Sequence, residues 1–138
     1  MPPSKLAGLP TWLLSRANAR SQALLADAFA ELDLRPIHFR TLSTLGEYAA
    51  LSQADLGRLL HLDRKDVAVT LHELEGRRLV GRSPDPTDGR RNVVTLTDDG
   101  RDLMPRLERI VDDVQTEMLS PLTAAEQAEL TTLLTKLA

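Results

Sequence analysis

The segment from Asp88 to Gly100 constrains the fold of this chain more than any other. It begins with turn-forming residues and continues as a run of strand-forming residues over 93–97. Thr97, a residue type that caps helices, is then followed by two acids. This order predicts a β-hairpin that leads into a helix. Arg90 and Arg91 fall at the tip of the hairpin, where exposed guanidinium groups suit a phosphate, a DNA groove or a carboxylate.

Composition narrows the class of protein. The 138 residues correspond to one domain. The absence of cysteine excludes disulfides and cysteine-ligated metals. Neither a membrane-length apolar run nor a signal-peptide pattern is present in the sequence, so we expect a cytoplasmic protein without membrane association.

Charge is distributed unevenly along the chain. The formal net charge is −3, but residues 36–97 carry nine basic and eight acidic side chains, whereas residues 98–138 carry four and nine. Local clusters of arginine steer nucleic acid more than the average charge does. Such a cluster occurs among residues 77–91 and is formed by Arg77, Arg78, Arg82, Arg90 and Arg91.

Helix-start signals predict a mainly α-helical chain. Each predicted start is a capping residue or a proline, followed by apolar residues at helical spacing: Thr11, Pro36, Ser52, Asp63, Thr97 and Thr123. The helix from Pro36 is expected to bury Phe39, Leu42, Leu45 and Tyr48. The helix from Asp63 is expected to bury Val67, Leu71 and Leu74. Since only a short turn at residues 60–62 separates the helices that begin at Ser52 and Asp63, these two helices form a predicted helix-turn-helix.

The terminal helices carry more apolar surface than a small centre can cover. Leucine and alanine recur at helical spacing near both ends, while aromatic residues make up 3% of the chain. We therefore predict that residues 9–35 and 98–138 are dimerisation helices of a homodimer. The alternative is that these helices fold back on their own centre.

The motifs together resemble the MarR family of bacterial transcription regulators. The family's wing signature reads Asp-x-Arg, then a strand ending in Leu-Thr, then x-x-Gly at the start of a long helix. Here Asp88, Arg90, Leu96, Thr97 and Gly100 match it. Residues 34–42 and 51–60 are similar to the family's second helix and to the first helix of its helix-turn-helix. The resemblance implies a winged helix-turn-helix with a two-stranded β wing and long terminal dimerisation helices. It places residues 36–97 in the DNA-binding lobe of a single MarR-type chain.

The DNA-binding candidates occupy three places. The helix that enters the major groove begins at Asp63, and Ser52 and Gln53 stand at a helix start whose backbone amides suit a phosphate. By resemblance, Arg90 enters the minor groove and Asp88 braces the hairpin. The full candidate set is Ser52, Gln53, Arg64, Lys65, Asp66, Ala68, Val69, Thr70, Arg77, Asp88, Arg90 and Arg91.

The sequence departs from the family at two places. Lys65, Asp66, Ala68 and Val69 stand where many members carry other residues, so base contacts do not transfer from relatives. Relatives often have glycine where Arg78 precedes the first wing strand. Either Arg78 adopts a left-handed conformation, which costs on the order of 1 kcal/mol, or the helix ends differently.

A small anionic aromatic effector is a further partner that the resemblance implies. The candidates for its site are Trp12, His38, Phe39, Arg40 and Tyr48, with Arg40 able to pair with a carboxylate. The urate-responding members usually have an acid where Arg40 stands, which argues against urate. The alternative is that Trp12 and Phe39 are core residues and that Arg40 faces a surface acid.

The residue patterns do not indicate catalysis. We therefore expect that the protein is not an enzyme and binds neither a cofactor nor a metal. His38, His61 and His72 lack ligand or triad spacing. We therefore predict a sequence-specific, double-stranded DNA-binding transcription regulator, a ligand-responsive repressor that binds a pseudo-palindromic operator as a homodimer. The alternative is a winged-helix architectural or protein-interaction module that does not read DNA specifically.

Overall fold

The computed structural model describes residues 3–138, which form helices and one small sheet. The helices are α1 (Ser4–Ala7), α2 (Pro10–Ala30), α3 (Pro36–Tyr48), α4 (Gln53–Leu60), α5 (Arg64–Gly76), α6 (Asp98–Leu119) and α7 (Ala124–Leu137), and the strands are β1 (Val80–Pro84) and β2 (Asn92–Leu96). The chain divides into two compact units. The first is the lobe Phe29–Arg109, and the second, the terminal unit, contains the residues up to Ala28 together with Ile110–Ala138. The mainly α class and the two-stranded wing are confirmed.

The core of the lobe is built from the apolar faces of α3, α4 and α5. Their fully or nearly fully buried side chains are Leu42, Leu45, Leu56, Val67, Leu71 and Leu74. The predicted inward faces of α3 and α5 are thus confirmed for these residues. The prediction was wrong for Tyr48, which is 52% exposed. Tyr48 is the last residue of α3 and precedes Ala49 with a positive φ of 62°, so the chain turns away from the core at this point.

The helix-turn-helix depends on a close approach between α4 and the turn that follows it. His61 takes a left-handed conformation with φ 54°, and the Leu62 N–H donates to the Gly57 carbonyl at 2.9 Å. A Cβ on Gly57 would stand 3.0 Å from the Leu62 carbonyl oxygen. A larger residue in the middle of α4 would require the turn to shift by a few tenths of an ångström, because the turn folds back against this position. Asp63 then caps α5 and accepts the Asp66 N–H at 2.8 Å.

The wing is an antiparallel hairpin with one additional bridge. Val80 pairs with Leu96, and the register runs to Pro84 opposite Asn92. On the free edge of β2, Leu51 forms an antiparallel bridge with Val94, whose N–H donates to the Leu51 carbonyl at 2.7 Å. Leu51, which precedes the N-cap residue of α4, is therefore tied to the wing by backbone hydrogen bonds.

The end of α5 decides between the two alternatives for Arg78. Arg78 is left-handed with φ 60°. Its N–H donates to the Glu75 carbonyl at 2.9 Å, and the Leu79 N–H donates to the Leu74 carbonyl at 3.0 Å. This pair of bonds is a Schellman motif, in which glycine is preferred at the left-handed position. The chain accepts the strain at Arg78 and so turns directly from α5 into the wing.

The start of α6 packs directly on that turn. The Thr97 hydroxyl accepts the Gly100 N–H at 3.0 Å and donates to the Arg78 carbonyl at 2.7 Å, while the Thr97 N–H donates to the Leu79 carbonyl at 3.1 Å. A Cβ on Gly100 would lie 2.3 Å from the Leu79 carbonyl oxygen. The Leu-Thr-x-x-Gly pattern therefore has a steric and hydrogen-bonding cause at this junction.

The terminal unit leaves much of its apolar surface uncovered within one chain. Leu13, Leu133 and Leu137 are 50%, 49% and 72% exposed. A groove of about 330 Å³ runs between α2, α6 and α7 and is lined mainly by leucine, alanine and methionine side chains. Thr123 caps α7 in a capping box with Glu126, as predicted. No helix within residues 3–138 has the length and hydropathy needed to span a membrane.

Replacing Gly100 by alanine is expected to destabilise the protein by about 1–3 kcal/mol, since the added methyl group meets the Leu79 backbone and not a flexible side chain. Gly76→Ala is the matched control, because a Cβ at Gly76, also helical, has nothing within 4 Å. Gly76→Ala should be neutral or stabilising by up to about 1 kcal/mol. Urea unfolding of both variants measures the difference, and equal stabilities would contradict the close approach at Gly100.

Candidate nucleic-acid interface

The outer face of α5 presents a mixed charged and apolar surface. Arg64, Lys65, Asp66 and Ala68 are exposed, and Val69 is 47% exposed. This face offers cations at the first turn of the helix and small apolar groups one turn later. Such groups suit phosphates or guanine edges and thymine methyl groups respectively.

Thr70 is a correction to the predicted set on α5. Its side chain is 4% exposed and belongs to the inner face with Val67 and Leu71. Thr70 follows Val67 by three positions, a spacing that places both on the same side of a helix. Thr70 is therefore not available to a base edge while α5 keeps this packing.

The first turn of α4 lies across a cleft from α5. The Ser52 hydroxyl accepts the Asp55 N–H at 3.1 Å, and the Asp55 carboxylate accepts the Ser52 N–H at 3.3 Å. Hydrogen bonding with Ser52 lowers the pKa of Asp55. Gln53 is the first residue of α4 and lines a cleft of about 490 Å³ with Ala54, Arg64, Val67 and Ala68. Residues from both helices of the motif therefore share one cavity.

The wing tip is held by its own acidic residues. The Asp88 carboxylate accepts the Arg90 N–H at 3.1 Å, and the Asp88 carbonyl accepts the Arg91 N–H at 3.0 Å. The Arg90 side chain is 95% exposed, and its Nε lies 3.6 Å from the Asp88 carboxylate. The bracing predicted for Asp88 agrees with these bonds, which fix the backbone that carries Arg90 while its guanidinium group extends into solvent.

Asp85 is a second brace that the sequence analysis missed. Its carboxylate accepts both the backbone N–H and the hydroxyl of Thr87, each at 2.8 Å. The backbone hydrogen bond from Thr87 lowers the pKa of Asp85. Aspartate commonly forms a turn in which its side chain accepts the backbone N–H two residues later, so this brace could have been predicted from the sequence.

Arg91 faces α4 and not only solvent. Its Nη2 lies 4.0 Å from Asp55 Oδ2, and Arg58 pairs with the same carboxylate. Arg91 thus connects the wing to the start of α4, and its side chain is 52% exposed. A phosphate contact by Arg91 stays a prediction that this pairing leaves open.

Arg77 has internal partners. Its Nη1 donates to the carbonyls of Leu32 and Asp33, at 2.9 and 2.7 Å. These carbonyls follow the end of α2, where helical carbonyls lack intrahelical donors. The guanidinium group therefore supplies hydrogen-bond donors to the carbonyls that follow α2. No local pattern in the sequence signals this role. The phosphate contact predicted for Arg77 stays untested.

Arg82 is a residue of this surface that the sequence analysis placed in the arginine cluster but not among the DNA contacts. Its Nε lies 2.5 Å from Glu75 Oε1, and its Nη1 donates to Gln53 Oε1. One side chain on β1 therefore joins α4, α5 and the wing. The three elements that carry the DNA-binding candidates are held together by this residue.

A buried histidine fixes the start of α3 against α5. His38 Nδ1 accepts the Arg35 N–H at 2.9 Å, so the ring proton is on Nε2, which donates to Glu73 Oε2 at 2.8 Å. Arg35 Nη2 also donates to both Glu73 oxygens, each at 2.7 Å. Burial lowers the pKa of His38, and the Arg35 hydrogen bond lowers the pKa of Glu73. The neutral imidazole is the form that fits this arrangement.

The other effector candidates lie in different environments. Phe39 stacks on Phe29 with ring centroids 5.7 Å apart, Arg40 is exposed, and Trp12 is half-buried in the terminal unit. For Phe39, this packing favours the alternative that it is a core residue. The effector site stays a prediction for all five candidates. Within residues 3–138 no group of three or more acidic or histidine side chains is placed to hold a metal ion.

Protonation of His38 should cost stability, because it destroys the acceptor for the Arg35 N–H. The folded state resists this proton, so the free energy of unfolding should fall as the pH drops below about 6.5, where the unfolded chain takes the proton up. His38→Gln keeps an acceptor and a donor but does not titrate, and its stability should depend less on pH between 7 and 5. His72→Gln, at an exposed position, is the control. Urea unfolding at several pH values decides, and equal slopes for wild type and His38→Gln would exclude this role.

Three comparisons place the chain among known proteins. The MarR family model matches residues 32–91. The HTH-type transcriptional repressor NicR of Pseudomonas putida is 30% identical over 125 residues, which cover 91% of this chain and 79% of the relative.

Two solved structures share the fold over nearly the whole length. A mutant MarR from E. coli complexed with operator DNA has a TM-score of 0.83 at 28% identity and covers 91% of this chain and 90% of its own. BpsR of Bordetella bronchiseptica, whose DNA binding is regulated by 6-hydroxynicotinic acid, has a TM-score of 0.89 at 28% identity, with 99% and 97% covered.

Proposed function

The chain belongs to the MarR family of transcription regulators, and from this we propose that it is a ligand-responsive repressor that binds operator DNA as a homodimer. The observation that carries the proposal is the arrangement of α5, the first turn of α4 and the wing. Arg64 and Lys65 are exposed on α5, and Arg90 extends from a braced hairpin tip. A helix suited to the major groove beside a hairpin with an exposed arginine is the arrangement by which such proteins read DNA.

Major- and minor-groove contacts have different tasks in this proposal. Residues at the first turns of α5, namely Arg64, Lys65, Ala68 and Val69, contact base edges and so discriminate sequence. Arg90 enters the adjacent minor groove and responds to its width. Gln53 and Arg91 contact phosphates and fix the orientation of the lobe.

The repressor and effector parts of the proposal draw support from relatives. NicR is named a transcriptional repressor, and the DNA binding of BpsR responds to 6-hydroxynicotinic acid. A small anionic aromatic effector of this chain would change the separation of the two recognition helices. Since both half-sites must be engaged at a fixed helical spacing, a small change in that separation reduces operator affinity.

Selection of genomic fragments by the purified protein, followed by sequencing, tests the proposal directly. A repressor of this type should enrich fragments that share an inverted repeat with half-sites about one helical turn apart. Enrichment without any shared sequence would instead support the architectural alternative. A titration of the selected operator with aromatic carboxylates then tests the effector.

Arg90→Ala is expected to weaken operator binding by about 1–3 kcal/mol and to leave the melting temperature unchanged, because the side chain is 95% exposed. Asp88→Ala should lower both affinity and stability, since the Arg90 N–H loses its acceptor. Arg106→Ala, an exposed arginine on α6, is the control for charge alone. Fluorescence anisotropy with the operator measures affinity, and full affinity of Arg90→Ala would remove the wing from DNA binding.

The homodimer has its own test, which needs no DNA. The exposed leucines of the terminal unit and the apolar groove between α2, α6 and α7 motivate it. Leu134 lines the groove and is 39% exposed. Its replacement by glutamate should raise the dimer dissociation constant at least about tenfold. Glu129→Ala on the same helix is the control. Sedimentation equilibrium decides, and a folded wild-type monomer at micromolar concentration would exclude the dimer.

A further inference from the structure

Arg82 has two partners from two different helices. Its Nε lies 2.5 Å from Glu75 Oε1 in the last turns of α5, and its Nη1 donates to Oε1 of Gln53 at the start of α4. The Arg82 side chain is 30% exposed and that of Glu75 is 35% exposed, so this contact is partly shielded from water. A partly shielded ion pair is screened by salt less than a fully exposed one.

The chemistry of the guanidinium group fixes the orientation of the Gln53 amide. Arginine has five N–H donors and no acceptor, so only the amide oxygen of Gln53 can face it. The amide NH2 group is then directed away from Arg82. Among the contacts of residues 3–138, this NH2 group has no acceptor. Two donors are therefore held ready at the mouth of the cleft between α4 and α5.

The backbone next to Gln53 is fixed by the same sheet. Arg82 pairs in register with Val94, and Val94 exchanges two backbone hydrogen bonds with Leu51, at 2.7 and 3.1 Å. Leu51 lies two residues before Gln53. The wing thus holds both the entry into α4 and the side chain of its first residue, which limits the conformational entropy that Gln53 would lose on binding.

We propose that Arg82 is a positioning residue for DNA binding, which acts by presenting the amide NH2 of Gln53 to a phosphate oxygen. This inference rests on the proposed function and names the partner of the α4 start as the phosphate backbone. The competing explanation is that Arg82 itself contacts a phosphate. Its pairing with Glu75 favours positioning, because a cation already opposed by a carboxylate contributes less charge to the release of counterions from DNA.

The DNA-free protein gives the first test. In wild type the side-chain NH2 resonances of Gln53 should be distinct in a nitrogen–proton correlation spectrum, since one rotamer is fixed. Arg82→Ala and Arg82→Lys should both move them toward the values of a solvent-exposed glutamine. Arg106→Lys is the control and should leave them in place. Gln53 resonances unaffected by both Arg82 variants would overturn the proposal, whatever the DNA measurements give.

The conservative variant separates positioning from direct contact. Lysine keeps the positive charge and binds phosphate well as a point charge, but it lacks the planar fork that joins Gln53 to Glu75. Positioning predicts that Arg82→Lys binds the operator about tenfold more weakly with an unchanged slope of log affinity against log salt concentration. Direct phosphate contact predicts nearly wild-type binding by Arg82→Lys, and that result would overturn the proposal.

A double-mutant cycle gives the coupling between the two residues. Gln53→Ala and Arg82→Ala should each weaken binding about tenfold, and the double variant should lose about tenfold as well, because both changes remove one interaction. A loss of about a hundredfold in the double variant would show independent action and contradict the proposal. Thermal unfolding of each variant identifies any that fail to fold, and Arg82→Lys with Gln53→Ala then completes the cycle.

Failure of this inference is distinguishable from failure of the proposed function. Wild-type protein that enriches no operator overturns the proposed function and with it the DNA role of Arg82. Wild-type protein that binds an operator, with Arg82 and Gln53 acting independently, overturns the positioning role alone.

Discussion

The junction between α5, the wing and α6 is the constraint on which the rest of the lobe depends. At this point the Thr97 hydroxyl donates to the Arg78 carbonyl, the Thr97 N–H donates to the Leu79 carbonyl, and Gly100 allows α6 to lie directly on that backbone. Arg78 accepts a left-handed conformation so that the chain can turn here. Since α5 carries the expected major-groove contacts and the hairpin carries Arg90, this junction sets the angle between the two elements that are proposed to read DNA.

Three arginines of the lobe serve its internal structure. Arg35 pairs with Glu73, Arg77 with two carbonyls, and Arg82 with Gln53 and Glu75. These three cations therefore connect the helices of the lobe. Among the ion pairs of residues 3–138, Arg64 and Lys65 have no partner, and Arg90 has only the Asp88 of its own turn. On the surfaces proposed to face DNA, the cations without a long-range partner are thus few and lie on α5 and at the wing tip.

Local signals in the sequence were sufficient to predict the helices and strands. They could not predict contacts between residues that lie far apart in the chain. The caps at Ser52, Asp63 and Thr123 were predictable because each hydrogen bond spans three residues. Arg77 and Arg82 meet partners 44 and 29 residues away, and no pattern in a single sequence encodes such pairs. Thr70 was expected on the outer face of α5 because it is polar. The helical period, which places it beside buried Val67, would have predicted its burial correctly. The burial predicted for Tyr48 was wrong for a different reason. Tyr48 continues the apolar stripe of α3, but it is the last residue of that helix.

The net charge of the chain makes the small number of available cations decisive. A formal charge of −3 supplies no general attraction to DNA, and residues 98–138 alone carry nine acids against four bases. Binding must therefore come from short-range contacts, whose strength depends on geometry more than on total charge. Rigid placement is the remaining means to gain affinity, because it reduces the entropy lost on binding. The acids that brace the wing and the arginine that joins α4 to α5 supply rigidity of this kind. In the proposed function, these acidic residues would therefore favour DNA binding although each of them repels DNA.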